Sequence, residues 1–421
     1  MKRVRRQTKD QHQGTPDIYP TLRAGIDPFP ARDKEGHAFV GLHDQLNLGT
    51  TQVLLPQDLY YVLQFFDGKH STFDLRMEYM RRFGTFLFVD RLAELLDVLD
   101  RNYFLNNAAY AARLQQLTKA YRVLPARAPA CAGSSYPGDR EELRRYLEDL
   151  ADKARLPDEI IIQYKNRPIL AMAIPHIDVR LGGSAYAAAY SLLRRDAGAD
   201  LYVILGIGHI GVDNLFVMTT KDFATPLGPV HTRGDLVARI NDSAGMDFTR
   251  QELVHRHEHS IEFQTIFLKN FIKRKFAILP VLCSFTPADL DQNRTVFERF
   301  VNALKAVLQD HGGSVCILAS VDLAHVGLKY GDSRAPDIAA MALVERNDRD
   351  VIRALSSGDA ELFQSLIRFD NNRFHVCGYA ALTTLFSVLP PLIGHLLAYD
   401  RAVMDENHST VTFASMAFAM A

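Results

Sequence analysis

The stretch Leu201-Tyr-Val-Ile-Leu-Gly-Ile-Gly-His209 decides the fold class of this chain, because it joins an apolar run to a glycine turn and a histidine. The apolar run 201–205 predicts a strand that is buried on both faces. The two glycines predict a tight turn with close backbone approach, which places the ring of His209 over the sheet edge. A glycine turn with a capping histidine is the alternative interpretation.

The same order of apolar run and polar residue recurs along the chain. The apolar runs 168–174 and 315–319 lead into His176 and into the segment Ser320-Val-Asp-Leu-Ala-His325. Strands alternate with helices from about residue 132 onward, which predicts a doubly wound, mostly parallel α/β sheet flanked by helices on both faces. Because the carboxyl ends of parallel strands form one crevice, we expect these polar side chains to converge there.

The predicted elements of this region follow from the period of the apolar residues. The strands are predicted at 168–174, 201–205, 276–282 and 315–319, the helices at 139–154, 184–195, 233–242, 259–272, 287–310, 336–354, 359–368 and 377–388, and a final pair of elements near 394–404 and 409–418.

Composition and charge exclude several classes of protein. The 421 residues include 48 basic and 49 acidic side chains, which argues against a broad surface for nucleic acid or anionic lipid. No apolar run reaches membrane-spanning length, and the basic residues 1–6 are not followed by the apolar segment of a secretory signal. The four cysteines form no Cys-x-x-Cys pair, so we expect a cytoplasmic protein.

The amino-terminal third predicts a separate small domain. Residues 1–36 are polar and proline-rich, which predicts an arm, and residues 108–131 predict a linker before the α/β domain of 132–421. Between them, residues 37–107 predict helices at 59–66, 71–83 and 89–101 and a strand-like segment at 102–105. This small, mainly helical domain resembles a winged-helix module of the peptide-binding kind. The alternative is a helical accessory domain without a ligand of its own.

Further polar residues stand beside the predicted strand exits. Asp178 and Arg180 follow His176, and a neighbouring carboxylate can fix the tautomer of a ligand histidine. Glu258 and Glu262 lie four residues apart on one face of a predicted helix that reaches toward the strand ends. We expect the substrate pocket to be lined by Asp178, Arg180, Glu258, His259 and Glu262. His255 and His257, which do not share a helix face with a third ligand, are expected to be solvated or to support the ligands from behind.

Two groups carry candidate chemistry. His325 is a candidate general base, and Asp322 either orients it, joins a metal shell or caps the turn through backbone amides. Cys377 precedes Gly378 and a predicted apolar helix, and a helix N-terminus lowers the pKa of a thiol, which suits a nucleophile or a soft metal ligand. The alternative for Cys377 is a small buried hydrophobic side chain.

Taken in order, eight short motifs resemble the Memo family, whose prokaryotic members are called AmmeMemoRadiSam system protein B. The resemblance covers about 132–421 and implies a fold similar to that of class III extradiol dioxygenases. The motifs are Ala132-Gly-Ser-Ser-Tyr-Pro137, Pro175-His176, Gly206-Ile-Gly-His209, Thr225-Pro-Leu-Gly228, Glu258-His-Ser-Ile-Glu262, Ser320-Val-Asp-Leu-Ala-His325, Cys377-Gly378 and Ser409-Thr-Val-Thr-Phe413.

The resemblance implies a metal site made of His176, His209 and Cys377. Asp322 and His325 would line the same pocket, with His325 in the position of the acid/base histidine of the dioxygenases. Two imidazoles and a thiolate suit iron, with copper or zinc as alternatives. The resemblance also implies a radical SAM system partner. Most members read Pro-His-Ala-Gly-Tyr where this chain has Pro175-His-Ile-Asp-Val179, so the residues that shape the substrate pocket differ.

Three functions follow as hypotheses. The first is a metal-dependent redox enzyme, dioxygenase-like, acting on a small-molecule or peptide substrate. The second is a non-catalytic module that binds a peptide or partner in the same crevice. The third is a metal-free hydrolase with Cys377 as nucleophile and His325 as base.

Overall fold

The computed structural model describes residues 18–32, 35–49, 52–165, 167–195 and 198–421. The chain divides into two compact units, 1–117 and 118–421, and the division falls inside a helix that lies in the predicted linker. Residues 1–17 of the predicted arm lie outside the described residues. Within the described residues, no helix is both long and apolar enough to cross a membrane.

The first unit begins with a three-stranded antiparallel sheet, in the order β1-β2-β3. The sequence did not predict this sheet, and β1 falls within the predicted arm. The three predicted helices are confirmed, whereas 102–105 forms no strand and Leu105 makes only an isolated bridge to Leu22. The elements are β1 (Ile26–Arg32), β2 (Ala38–Asp44), β3 (Gln52–Pro56), α1 (Gln57–Leu63), α2 (Thr72–Phe83), α3 (Val89–Arg101) and α4 (Ala108–Arg122).

The second unit alternates strands and helices as predicted. Its strands are β4 (Ala126–Arg127), β5 (Ala171–Ile174), β6 (Leu201–Ile207), β7 (Phe216–Met218), β8 (Asp222–Phe223), β9 (Ala277–Cys283), β10 (Val315–Ser320), β11 (His325–Val326), β12 (Leu392–Val403) and β13 (Thr410–Met420). Its helices are α5 (Arg140–Lys153), α6 (Asp158–Tyr164), α7 (Val179–Leu193), α8 (Gly234–Ala244), α9 (His259–Phe271), α10 (Pro287–Gln292), α11 (Arg294–Gln309), α12 (Ile338–Ser356), α13 (Ala360–Phe369) and α14 (Tyr379–Val388).

The main sheet has eight strands, in the order β11-β13-β5-β10-β6-β9-β7, with β12 beside β13. The central strands β5, β10, β6 and β9 are parallel, and the antiparallel strands β7 and β13 adjoin them. The mostly parallel sheet that the sequence predicts is therefore confirmed. The carboxyl ends of β5, β10 and β6 meet at one edge, which is where a ligand site is expected in such a sheet.

The central strands are continuous apolar runs because they are covered on both faces. Every residue of β6 is buried, and Val203 and Leu205 pack in the core formed with α8, α11 and α14. Helix α9 also lies against β6 but contributes no residue to that core. The strand is therefore held from two sides, and its exit at the glycine turn has a fixed position.

Helix α7 begins five residues earlier than predicted. The side chain of Asp178 accepts a hydrogen bond from the backbone amide of Arg180 and so caps the helix directly after His176. The pair Gly182-Gly183 lies inside the helix. A Cβ atom at Gly182 would approach the side chain of Ile177 to 2.5 Å, so this glycine permits close packing against the strand exit.

Candidate metal centre

Three imidazoles converge at the carboxyl edge of the sheet. His176 follows β5, His209 follows β6, and His259 is the first residue of α9. One nitrogen from each ring lies within 4.8 Å of the nitrogens of the other two, a spacing that a single metal ion can bridge. The rings of His209 and His259 are stacked with centroids 4.9 Å apart, and His176 stands nearly perpendicular to both.

The ring of His176 is oriented by its neighbours on β10. Its Nδ1 lies 2.8 Å from the carbonyl oxygen of Ser320, which can only accept, so Nδ1 carries the proton and Nε2 offers its lone pair to the cavity. Its backbone amide donates to Asp322 Oδ1 at 3.0 Å. Burial lowers the pKa of His176 to about 4, so the ring is neutral at pH 7.

Glu258 contacts the other two rings. Its Oε2 lies 3.0 Å from His209 Nδ1, and its Oε1 lies 3.3 Å from His259 Nδ1. The first contact is a hydrogen bond and the second is an ion-pair contact, so the carboxylate orients the ring of His209 in the carboxylate–histidine arrangement common at metal sites and lies beside the ring of His259. Burial alone would raise the pKa of Glu258, but the two adjacent histidines outweigh it and hold the pKa well below its ordinary value. The same carboxylate accepts the Ser260 amide at 2.9 Å and so caps α9.

A sulfur and a carboxylate flank the three histidines. Cys377 Sγ lies 3.6 Å from His176 Nε2, and Asp322 Oδ2 lies 3.6 Å from the same nitrogen. The expected low pKa of the thiol is wrong. Burial, reinforced by the charge of Asp322, raises the pKa of Cys377 well above its ordinary value, because desolvation exceeds what a helix N-terminus contributes.

His325 lies on the same side of the site. Its Nδ1 is 3.2 Å from the Leu323 carbonyl oxygen, and its ring meets that of Tyr330 edge to face at 5.0 Å. Burial lowers the pKa of His325 to about 4, so it is a neutral proton acceptor at pH 7. Asp322 accepts the amides of His176 and Ile177, so it caps the turn and faces the cavity at once. Burial raises the pKa of Asp322.

These groups line one cavity of about 480 Å³. It combines five imidazoles with a carboxylate pair, a thiol, a lysine and an apolar wall. Six of its residues, Ile177, Lys329, Tyr330, His375, Met404 and Val411, were not among the candidates named from the sequence. The lining residues are His176, Ile177, Asp178, His209, His259, Asp322, His325, Lys329, Tyr330, His375, Cys377, Met404 and Val411.

The residues predicted to line a substrate pocket separate into two groups. Asp178 and His259 line the cavity. Arg180 is exposed and pairs with Asp178 at 2.7 Å, and Glu258 lies behind the rings, so neither is a lining residue. Glu262 is fully buried and accepts hydrogen bonds from the backbone amides of Ala130 and Cys131, in the segment that precedes α5. It does not line the cavity.

Glu262 and Arg127 form a buried ion pair, with Nη1 and Oε2 2.6 Å apart. Arg127 also donates to the carbonyl oxygen of Glu258, and Tyr136 donates its hydroxyl to Glu262. This cluster ties the start of α9 to the preceding segment. His255 is also buried, with Nε2 3.1 Å from the Val217 carbonyl oxygen, so of the two expectations for it, solvated or supporting the ligands from behind, the solvated one is wrong.

The fold and the site together define an α/β protein with a histidine cluster, suited to a metal ion, at the carboxyl edge of its parallel strands. The model of the family described as "Memo-like protein" matches residues 127–417. The chain belongs to this family, and the predicted resemblance is confirmed.

Similar proteins come from bacteria and archaea. A MEMO1 family protein of Aquifex aeolicus is 28% identical over 391 residues, which cover 91% of this chain and 96% of that protein, so the match extends into the first unit. A MEMO1 family protein of Methanobrevibacter smithii is 26% identical, with 69% of this chain and 99% of that protein covered. One from Thermococcus kodakarensis is 27% identical with the same coverage.

Proposed function

We propose that this chain is a metal-dependent redox protein that holds iron, or alternatively copper, at His176, His209 and His259. The observation that carries the proposal is the convergence of one nitrogen from each ring within 4.8 Å. Imidazole nitrogens suit iron, copper and zinc, and a site with histidine and carboxylate ligands and open positions is typical of non-haem iron(II).

The protonation states of the donors fit this proposal. The pKa values of His176 and His259 are lowered to about 4 by burial, so both lone pairs are available at pH 7. Glu258 is hydrogen-bonded to His209 Nδ1 and lies 3.3 Å from His259 Nδ1. Cys377 and Asp322 are each 3.6 Å from a histidine nitrogen of the cluster, which suits them as additional donors once a cation favours their anionic forms.

A bound metal would supply Lewis-acid or one-electron chemistry to a small-molecule or peptide substrate. His325 is the proton acceptor in this proposal, because its Nδ1 is held near the Leu323 carbonyl and its other nitrogen remains unprotonated at pH 7. Ile177, Met404 and Val411 form the apolar part of the wall and limit water on that side. The raised pKa of Cys377 disfavours the alternative in which this thiol is a free nucleophile.

The test is metal analysis of protein purified without oxygen, comparing the wild type with His259→Ala and Cys377→Ser. We expect about one iron or copper per chain in the wild type and loss of most of it in His259→Ala, since one of three nitrogen donors is removed. His231→Ala is the matched control, because His231 is exposed and pairs with Asp222 away from the cluster.

Each outcome has a definite meaning. Normal metal content in His259→Ala would remove this residue from the ligand set, and loss in Cys377→Ser would add the sulfur to it. Zinc in the wild type would contradict the redox assignment. Metal-free wild type would refute the proposal and favour the non-catalytic module that binds a peptide or partner in the same crevice.

A further inference from the structure

A buried amide connects the strand exits that carry the metal centre. Gln264 lies on α9, is fully buried and does not line the cavity. Its Nε2 donates to the Pro175 carbonyl oxygen at 2.9 Å and to Ser320 Oγ at 2.7 Å. Its Oε1 accepts from the Tyr190 hydroxyl at 2.8 Å. Both ends of the amide are therefore satisfied.

The donor and the acceptor of each hydrogen bond around Gln264 can be assigned. Ser320 Oγ lies 2.5 Å from the Ser260 carbonyl oxygen, which can only accept, so the single hydroxyl proton of Ser320 points there. Ser320 must then accept from Gln264, and only the amino group of the amide can donate. An amide turned by 180° would place two acceptors against each other, so Gln264 has one allowed orientation.

The partners of Gln264 are also the residues that place His176. Pro175 immediately precedes His176, and the carbonyl oxygen of Ser320 accepts from His176 Nδ1 at 2.8 Å. The two strands are already adjacent, and the Val321 amide donates to the Ile174 carbonyl oxygen at 2.8 Å. Gln264 adds a side-chain link one residue further on, between the Pro175 carbonyl and Ser320. This link fixes the Pro175 carbonyl relative to Ser320, and with it whether His176 Nδ1 reaches its acceptor.

We propose that Gln264 is a positioning residue for the metal centre, which fixes the orientation and tautomer of His176 by joining Pro175 to Ser320. The proposal deepens the metal-binding function and rests on it for its effect on affinity. It predicts an effect on His176 through hydrogen bonds that Gln264 makes to Pro175 and Ser320. Residues that hold metal ligands from behind typically change metal affinity by about 10–100-fold when they are replaced.

The first measurement is the affinity of metal-free protein for Co²⁺, titrated anaerobically by its visible absorption. Gln264→Met keeps the approximate length of the side chain but removes both donors and the acceptor, and we expect roughly 10-fold or greater weakening and a changed cobalt spectrum. Thr384→Val is the control, because Thr384 is equally buried and its hydroxyl bonds to Ala380 within α14 and contacts Cys283 on β9, away from the metal centre. We expect the control to lose thermal stability without losing affinity.

The second measurement needs no metal. In protein labelled with ¹⁵N-histidine, the ring nitrogens of His176, assigned by their loss in His176→Gln, report its tautomer. We expect one tautomer with Nδ1 protonated in the wild type and a mixture in Gln264→Met. Tyr190→Phe, which removes the hydroxyl that bonds to Gln264 Oε1 and to the Gln264 carbonyl oxygen, supplies a milder variant should Gln264→Met fail to fold, with a smaller shift in the same direction.

The results separate the two proposals. Wild type that binds no cobalt would count against the metal centre, while the His176 tautomer would still decide the role of Gln264. Unchanged affinity and an unchanged tautomer in Gln264→Met, or in Tyr190→Phe where the first variant does not fold, would overturn the positioning role.

Discussion

Asp348 is a buried carboxyl group whose contribution to the free energy of unfolding decreases as the pH rises. The residue lies on α12, is fully buried and accepts a hydrogen bond from the Tyr399 hydroxyl at 2.8 Å through Oδ2. The side chains of Thr412 and Asn347 also hydrogen-bond to this carboxyl group and lower its pKa, but less than burial raises it. Burial raises the pKa of Asp348 to about 6, and the charge of Glu345 adds to the effect. The carboxylic acid is therefore the form that the fold prefers.

The sign of the effect follows from proton binding. Since the folded chain binds this proton more tightly than the unfolded chain, the contribution of Asp348 to the free energy of unfolding is fully present below pH 4 and is lost as the pH rises toward and through 6. A shift of about two pKa units corresponds to roughly 3 kcal/mol in full, of which about 2 kcal/mol develops between pH 4.5 and pH 7.5. Asp348→Asn removes this titration while keeping the shape of the side chain.

The assay is urea unfolding of the wild type and Asp348→Asn at pH 4.5 and pH 7.5. We expect the free energy of unfolding of the variant, relative to wild type, to rise by about 2 kcal/mol from the lower to the higher pH. Glu361→Gln, which removes an exposed carboxylate from α13, is the control. A difference between wild type and Asp348→Asn that is the same at both pH values would refute the reasoning.

Two further substitutions test the supports of the site. Arg127→Met leaves Glu262 buried without its cation, and we expect a loss of about 3–5 kcal/mol in the free energy of unfolding, whereas a loss below about 1 kcal/mol would show that the ion pair is not needed. Gly327→Ala places a Cβ 2.7 Å from the Ser409 Cα at a backbone φ of 111°. Urea unfolding should therefore show a loss of about 1–3 kcal/mol in the free energy of unfolding. Gly211→Ala is the control, because the position has open space around it, and it should change stability little.

The sequence predicts those strands whose apolar pattern can arise only from burial on both faces. Strands β6, β9 and β10 are buried on both faces, so each is a continuous apolar run and was predicted to within two residues. Strand β1 carries Pro28 and Pro30 and is largely exposed, so its sequence resembles that of a polar arm. The predicted helix 287–310 is interrupted at Asn293, which separates α10 from α11 without a proline or glycine to mark the break.

The carboxyl ends of parallel strands form one crevice, and this principle was sufficient to place His176, His209 and Asp322 together, because each follows a parallel strand of one sheet. It was not sufficient for His259, which comes from a helix whose start is capped by Glu258, and that carboxylate also contacts the His259 ring and hydrogen-bonds to the His209 ring. Glu258, which directly precedes His259 in the sequence, indicates this position, since one carboxylate has two oxygens and can cap a helix and contact a ring at once. A Glu-His pair at a helix N-terminus opposite a strand-exit histidine is therefore a sequence feature worth testing for a third metal ligand.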